Sequence, residues 1–188
     1  MEAIENVSQL SDELLVDQIV RTKDSELFAE LYDRYAPVVF NKCLGFAKSK
    51  AEAEDLTHDI FIKLFIKVNT FSGKSKFSTW LFSFTYNFCV NYIERNSYKK
   101  KEKVEENATI NEKYTEEITD EDILGMKTQK LSKVLQIIEP KDKMILLLKY
   151  QDDLSIKDLC DVLEIGESAV KMRLKRAKEK AMEIYKRV

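Results

Sequence analysis

The sequence predicts an all-α protein made of two small helical domains that are joined by a flexible acidic linker. Only four Gly and two Pro occur among 188 residues, which argues against a turn-rich β protein. Apolar residues recur at helical spacing in both halves of the chain. Between the halves, residues 99–125 are polar, acidic and aperiodic, as linkers are. We therefore assign residues 1–98 to the first domain and residues 126–188 to the second.

Capping signals indicate where the first helices begin. Ser11 is followed by two acids, which is typical of a helix N-cap with favourable charge in the first turn. A second helical pattern covers residues 25–35. Pro37 either kinks this second helix or opens the next turn, and the helical pattern resumes after it.

A polar loop separates the last two helices of the first domain. Ser49 and Glu52 have the spacing of a capping box, which predicts a helix over about residues 50–68. Residues 69–76 contain a glycine and small hydroxyl residues, as loops do. With Ser78 as its cap, a helix over about residues 79–96 follows. It is apolar nearly all round, so it is either buried in a bundle or faces a partner.

The stretch between Asp59 and Glu94 contains no acidic residue over 34 positions, although 34% of the chain is charged. It contains ten aromatic residues. It also contains four lysines, namely Lys63, Lys67, Lys74 and Lys76. Cations without competing anions, next to aromatic rings, suit a polyanion whose bases can stack. The stretch therefore points to nucleic acid.

The second domain ends in a helix-turn-helix pattern. Ser155 is the expected N-cap of a short helix over residues 156–163, and a turn at 164–166 leads to a long helix from Glu167. The long helix has an apolar stripe on one side and basic residues on the other, which is the geometry that fills a DNA major groove. A helical hairpin with a solvated basic face is the alternative, and spacing alone does not decide between them.

Composition argues against an enzyme and against a secreted protein. His58 is the only histidine, which excludes Ser-His-Asp and HExxH sites, and no glycine-rich phosphate loop occurs. We expect no cofactor and no metal ion. Cys43, Cys89 and Cys160 show no metal or disulfide pattern, which indicates a reducing cytosol. The N-terminus is unlike a signal peptide and the apolar runs are short, so we expect a cytoplasmic protein without membrane insertion.

Two blocks of the chain resemble bacterial sigma-70 RNA polymerase initiation factors, specifically the small two-domain extracytoplasmic-function group. The first block resembles the family's region 2 and consists of residues 28–35, 53–56, 59–61 and 77–81 with Asn87 and Arg95. The second block, residues 155–177, resembles region 4. The order of the blocks and the acidic linker between them agree with the family.

The resemblance implies a promoter-specificity factor. Such a protein binds core RNA polymerase, recognises the −35 and −10 promoter elements and assists promoter melting, while RNA synthesis belongs to the polymerase. The implied partners are the clamp helices and flap of core RNA polymerase, promoter duplex and the non-template single strand; many relatives also have an anti-sigma protein. The rivals are a stand-alone transcriptional regulator and a helical scaffold, and the clustered cations disfavour the scaffold.

The resemblance also assigns roles to individual residues. Polymerase binding is implied for Asp55, Leu56, Asp59 and Ile60. Recognition of the −10 element and strand opening are implied for Asn69, Phe71, Ser72, Lys74, Lys76, Phe77, Thr79, Trp80 and Asn87. Recognition of the −35 element is implied for Ser168, Lys171, Met172, Arg173, Lys175 and Arg176.

Structural explanations remain open for several of these residues. The acidic surface of the third helix is also explained by a solvated face with pairs such as Asp59 with Lys63. Phe84 and Phe88 are expected in the core, since large apolar rings are usually buried. For Trp80, a place in the core and a contact with DNA are equally expected.

The chain departs from the family pattern at four places, one of which is Asn91, where an Asp is frequent. Glu164 stands where the family often has Gly, and a left-handed backbone there would cost about 1–2 kcal/mol. Gly166 stands where a Ser cap is usual, which is tolerable because Gly is a fair N-cap. Thr57 and His58 replace an apolar-Gln pair, so we expect the polymerase contact to differ in detail.

Overall fold

A computed structural model of the chain describes residues 7–101 and 118–188. These residues form nine α-helices and no β-strand, which confirms the predicted all-α class. Spatial contacts divide the chain into a first unit, Met1–Cys89, and a second unit, Val90–Val188. The division falls inside the fourth helix, so the domain boundaries at residues 98 and 126 stay a prediction.

The first four helices begin close to the predicted positions. They are α1 (Asp12–Thr22), α2 (Ser25–Leu44), α3 (Lys50–Lys67) and α4 (Phe77–Lys101). The Ser11 hydroxyl accepts the Leu14 N–H at 3.3 Å, which confirms the cap of α1. Pro37 neither ends α2 nor opens a new helix, because the helix continues through it.

The two helices that flank the predicted loop differ in how they are capped. The Ser49 hydroxyl accepts the Glu52 N–H at 3.1 Å, as predicted, while the Glu52 carboxylate accepts the N–H of Lys48. α4 begins at Phe77, two residues earlier than predicted. The reason is long-range, because the Phe77 N–H donates to Oε1 of Glu13 on α1 at 3.2 Å.

The core of the first unit is built from the inward faces of all four helices. Its fully buried side chains include Leu15, Ile19, Leu31, Val39, Ile60, Leu64, Phe77, Leu81 and Tyr86. Lys42 is also buried, and its Nζ lies 4.0 Å from the centre of the Phe82 ring and donates to the Tyr86 hydroxyl at 3.3 Å. Aromatic rings and a hydroxyl thus replace part of the hydration that this ammonium group loses.

The second unit contains five further helices. They are α5 (Asp120–Leu124), α6 (Thr128–Ile137), α7 (Pro140–Leu146), α8 (Ile156–Leu163) and α9 (Glu167–Arg187). A π-helical turn, Leu147–Gln151, follows α7 directly. The core is formed by α5, α6, α7 and the buried side of α9.

The predicted linker needs a correction at its C-terminal end. Residues 102–117 lie outside the described residues, but Ile118 and Ile123 are buried in the core of the second unit. Thr119 and Asp122 form a capping box that starts α5. The acidic composition concealed this helix, because its acids lie in the first turn, where they are favourable.

Candidate nucleic-acid interfaces

Local signals determine the helix-turn-helix of the second unit. The Ser155 hydroxyl accepts the Asp158 N–H at 3.1 Å, and the Asp158 carboxylate accepts the Ser155 N–H at 3.0 Å. These bonds start α8 at the predicted residue. Glu164 ends the helix with a left-handed backbone (φ 54°, ψ 38°), and Gly166 is the N-cap of α9. The bounds of both helices confirm the prediction.

The structure places the predicted −35 residues on one exposed face of α9. On the opposite face, Val170, Leu174, Ala177 and Ala181 are buried, as the apolar stripe predicts. The six predicted contact residues, namely Ser168, Lys171, Met172, Arg173, Lys175 and Arg176, are all exposed. Their side chains are therefore available to a partner.

The cations of α9 divide into paired and unpaired groups. Lys171 pairs with Glu167 one turn earlier, and both side chains are about two-thirds exposed. Arg173, Lys175 and Arg176 have no ion pair with any other residue in the described ranges. All three side chains are exposed, so phosphate or base contacts would cost no existing ion pair.

Two lysines near the middle of α9 have structural roles instead. Lys178 donates to the Asp120 carboxylate at 3.1 Å and so holds α5. Lys180 donates to Glu139 at 2.9 Å and to Asp142 at 2.6 Å. Spacing could not separate these lysines from the unpaired cations, because their acidic partners are about 40 to 60 positions away in the chain.

A second candidate interface lies where the loop before α4 meets the first turns of that helix. The Phe71 ring lies 5.4 Å from Phe77 and 5.6 Å from Trp80, measured between ring centres. Trp80 in turn stacks on Phe84 at 5.5 Å with 23° between the rings. Phe71, Trp80 and Phe84 are half-buried, so each presents part of a ring to solvent.

This geometry bears on three predictions about aromatic residues. Phe77 is fully buried, so its ring supports the exposed surface from beneath Phe71 and Trp80, and its predicted role at the −10 element stays a prediction. Phe84 and Phe88 were expected in the core, but both are only half-buried. The Lys63 Nζ lies 4.6 Å from the centre of the Phe88 ring, which places a cation beside this surface.

The polar residues predicted for the −10 element surround these rings. The exposed ones are Asn69, Ser72, Lys74, Lys76 and Asn87, while Thr79 is half-buried. Gly73 has φ 69°, a left-handed backbone that favours glycine in this loop. Across the described ranges, neither Lys74 nor Lys76 forms an ion pair. The loop therefore presents free cations next to partly exposed rings.

The predicted polymerase-binding residues divide between the surface and the core of α3. Asp55 and Asp59 are exposed. Neither carboxylate forms an ion pair with another described residue, so the alternative pairing of Asp59 with Lys63 does not occur. Leu56 and Ile60 are 1% and 0% exposed, so their side chains are not part of the exposed surface, and their role in polymerase binding stays a prediction. They belong to the inward stripe of the helix.

Sequence reasoning missed two residues of this surface. Ile62 and Ile66 are 63% and 67% exposed, and they continue the line of Asp55 and Asp59 along α3 at spacings of 4, 3 and 4. The helical period from Asp55 could have identified them, because positions i+7 and i+11 share its face. We call these four residues the α3 stripe.

The chain has two helical units, one with a basic helix-turn-helix and one with lysines beside partly exposed rings, as is typical of nucleic-acid-binding proteins. The family model for sigma-70 region 2 matches residues 31–98, and that for sigma-70 region 4 matches residues 128–180. The chain therefore belongs to the sigma-70 family, in its extracytoplasmic-function (ECF) group. It is a promoter-specific transcription initiation factor and not an enzyme.

Similar proteins cover nearly the whole chain. The ECF RNA polymerase sigma factor SigW of Bacillus subtilis is 27% identical over 167 residues, covering 85% of this chain and 89% of the relative. The ECF RNA polymerase sigma-E factor of Escherichia coli K12 is 26% identical over 178 residues, covering 91% and 92%.

Two solved structures share the fold. One is the sigma factor RpoE in complex with the anti-sigma factor NepR from Bartonella quintana, with a TM-score of 0.58 at 18% identity; it covers 85% of this chain and 96% of that one. The other is CnrH in complex with the cytosolic domain of CnrY, with a TM-score of 0.60 at 17% identity; it covers 92% of this chain and 96% of that one.

Among the described residues, no helix combines the length and the apolar composition that a membrane-spanning helix needs.

Proposed function

We propose that α9 recognises the −35 element in the major groove of promoter DNA. The observation that supports this most is the exposed, unpaired group of Arg173, Lys175 and Arg176 on the second helix of a helix-turn-helix. The two arginines are suited to bidentate contacts with guanine or to phosphate, since their guanidinium groups are planar forks. Lys175 and Lys171 contact phosphate and position the helix on the duplex.

We propose that the loop and first turns of α4 capture the −10 element as its strands separate. The loop lysines Lys74 and Lys76 hold phosphates, and the half-buried rings of Phe71 and Trp80 give unstacked bases a surface. Phe84 extends that surface because it stacks on Trp80. Unstacking a base step costs a few kcal/mol, which these contacts return.

We propose that the α3 stripe binds core RNA polymerase. Two unpaired carboxylates, Asp55 and Asp59, suit a basic partner surface. The side chains of Ile62 and Ile66 are exposed, so covering their apolar area with a partner would be favourable. The test is capture of core polymerase by full-length chain with Asp59→Ala, with Glu54→Ala as matched control. Glu54 is an exposed acid on the same helix but already pairs with Lys50.

We expect Asp59→Ala to weaken capture and Glu54→Ala to leave it unchanged. If wild-type chain binds promoter DNA and never captures the polymerase, the protein acts as a stand-alone regulator instead. Transcription reconstituted from core polymerase, promoter DNA and this chain tests the whole proposal, because the polymerase alone should not start at the promoter.

We also propose an anti-sigma protein as a partner and the cytoplasm as the location. The support for the inhibitor is that RpoE, which shares the fold, is in complex with the anti-sigma factor NepR. An inhibitor that covered the α3 stripe would prevent polymerase binding directly. Co-purification of the chain from its native cells, followed by mass spectrometry of bound proteins, tests this.

A further inference from the structure

A residue from a distant part of the chain caps the first turn of α4. The first N–H groups of a helix have no partner within the helix, and an oxygen-bearing side chain just before it usually accepts one. Lys76 precedes α4 and has no acceptor in its side chain. Instead, Oε1 of Glu13 accepts the Phe77 N–H at 3.2 Å from 64 positions away. The negative charge of Glu13 is also favourable at this end of a helix.

Asp12, the neighbouring acid of α1, also acts on Phe77, through its hydrogen bond with Tyr35. The Asp12 carboxylate accepts hydrogen bonds from the Tyr35 hydroxyl and from Nη1 of Arg34, the latter at 3.0 Å. The Tyr35 ring packs edge-on against Phe77 with 5.6 Å between ring centres. The start of α1 therefore fixes both the backbone and the ring of Phe77.

Phe77 connects this anchor to the proposed strand-capture surface. Its buried ring lies 5.4 Å from Phe71 and 5.8 Å from Trp80, the two half-exposed rings of that surface. The Trp80 N–H donates to the carbonyl of Lys76 at 3.2 Å, so Trp80 belongs to the same first turn. A displacement of this turn would therefore move the end of the loop and Trp80 together.

We infer that Glu13 is a positioning residue for capture of the melted strand, because it fixes the first turn of α4 on which Phe71 and Trp80 depend. The inference rests on the proposed −10 function. Glu13 need not touch DNA, and a carboxylate near a phosphate chain is by itself repulsive. A surface acid and a positioning residue therefore predict opposite changes in DNA binding when Glu13 is removed. Removing a mere surface acid should strengthen DNA binding, whereas removing a positioning residue should weaken it.

The test uses full-length chain bound to core polymerase and a forked promoter probe whose non-template −10 strand is single. We expect Glu13→Ala to weaken binding of the fork about three- to tenfold, because losing a helix cap destabilises the first turn by a factor of about this size. Glu13→Gln keeps an acceptor oxygen without the charge, and should lie between Glu13→Ala and wild type. Glu13→Asp keeps the charge but is one methylene shorter, and should lose binding as Glu13→Ala does.

Asp17→Ala is the matched control, since Asp17 is an exposed acid of α1 that pairs only with Arg21 among the described residues. We expect this control to bind the fork at least as well as wild type. All variants should bind core polymerase and −35 duplex as wild type does, which a general loss of folding would not allow. If Glu13→Ala is too unstable to measure, the inference is tested by whether Glu13→Gln binds the fork more tightly than Glu13→Asp.

Three results would overturn the inference. The first is that Glu13→Ala binds the fork as tightly as wild type or more tightly. The second is that Glu13→Ala loses polymerase binding and duplex binding as much as fork binding. The third is that Glu13→Asp binds the fork more tightly than Glu13→Gln. A failure of wild-type chain to bind the fork would instead refute the proposed −10 function itself, so the two failures are distinguishable.

Discussion

The two proposed DNA-binding surfaces are built in different ways. In the second unit, α8 and the turn are set by bonds between residues at most four or five apart, such as Ser155 with Asp158. In the first unit, the surface near Trp80 depends on Glu13, which is 64 positions from its partner Phe77. A surface made locally can change its contact residues with little structural cost, whereas one made by distant parts is sensitive to changes that never touch DNA.

The largest expected effect is on Phe77, because its ring is fully buried against Tyr35, Phe71 and Trp80. Phe77→Ala should destabilise the first unit by about 3–5 kcal/mol, as removal of a buried ring does. Urea unfolding of full-length chain measures this.

Trp80→Ala should cost clearly less stability than Phe77→Ala, because the Trp80 ring is half-buried. It should impair promoter opening more than closed-complex binding. Equal effects on opening and on closed-complex binding would make Trp80 a core residue.

The next effect separates contact residues from structural residues on α9. Arg173→Ala should weaken binding of −35 duplex by about 1–3 kcal/mol and leave unfolding nearly unchanged, since Arg173 has no described ion-pair partner. Lys180→Ala is the control, because it loses its bonds to Glu139 and Asp142. That control should lower the free energy of unfolding and change DNA binding less. The reverse pattern would contradict the division of these cations.

The contrast between local and distant contacts also explains what the sequence could predict. The caps at Ser11, Ser49 and Ser155 and the turn at Glu164 are encoded by neighbours in the chain, and the structure has them where expected. The early start of α4 was not predictable, because it depends on Glu13. The burial of Ile123 was missed for a related reason, as acidic neighbours made its short helix resemble a linker.

At the candidate sites, the sequence predicts which helix face is exposed better than it predicts the burial of single residues. The exposed face of α9 was predicted in full, because helical period fixes which side is apolar. On α3 the predicted contacts follow from the family resemblance and not from the helical period, so buried Leu56 and Ile60 are among them and exposed Ile62 and Ile66 are not. The position of Phe77 under Phe71 depends on tertiary packing, which spacing does not encode.

A smaller effect concerns the salt dependence of DNA binding. Each phosphate contact lowers the slope of log affinity against log salt by about 0.9, so Lys175→Ala should make the slope shallower by about that amount. Lys171→Ala should change it less, because Lys171 must first leave its pair with Glu167. Binding of −35 duplex at several salt concentrations measures both slopes. An unchanged slope for Lys175→Ala would remove this residue from the phosphate contacts.

The smallest effect is the acid sensitivity of the second unit through Asp120. The hydrogen bond from the Tyr150 hydroxyl at 2.7 Å, together with Lys178, lowers the pKa of Asp120 below its ordinary value of 3.8 despite partial burial. A carboxylate whose pKa is depressed by folding contributes stability that is complete above its ordinary pKa and is lost as the pH falls through its folded pKa. The effect is modest, because the Asp120 side chain is 48% exposed.

Tyr150→Phe removes the main cause of that shift, so its free energy of unfolding should lie below that of wild type near neutral pH. The difference should shrink as the pH falls below the ordinary pKa of 3.8 and through the lowered folded pKa of Asp120 in wild type. Urea unfolding at several pH values measures it. Tyr185→Phe is the control in the same unit, because the Tyr185 hydroxyl accepts the Lys127 N–H at 3.4 Å and donates to no carboxylate among the described residues. Its difference from wild type should not change with pH. A constant difference for Tyr150→Phe would mean that the tyrosine stabilises α5 by packing alone, and that this long-range contact, unlike the Glu13 bond, does not depend on a carboxylate.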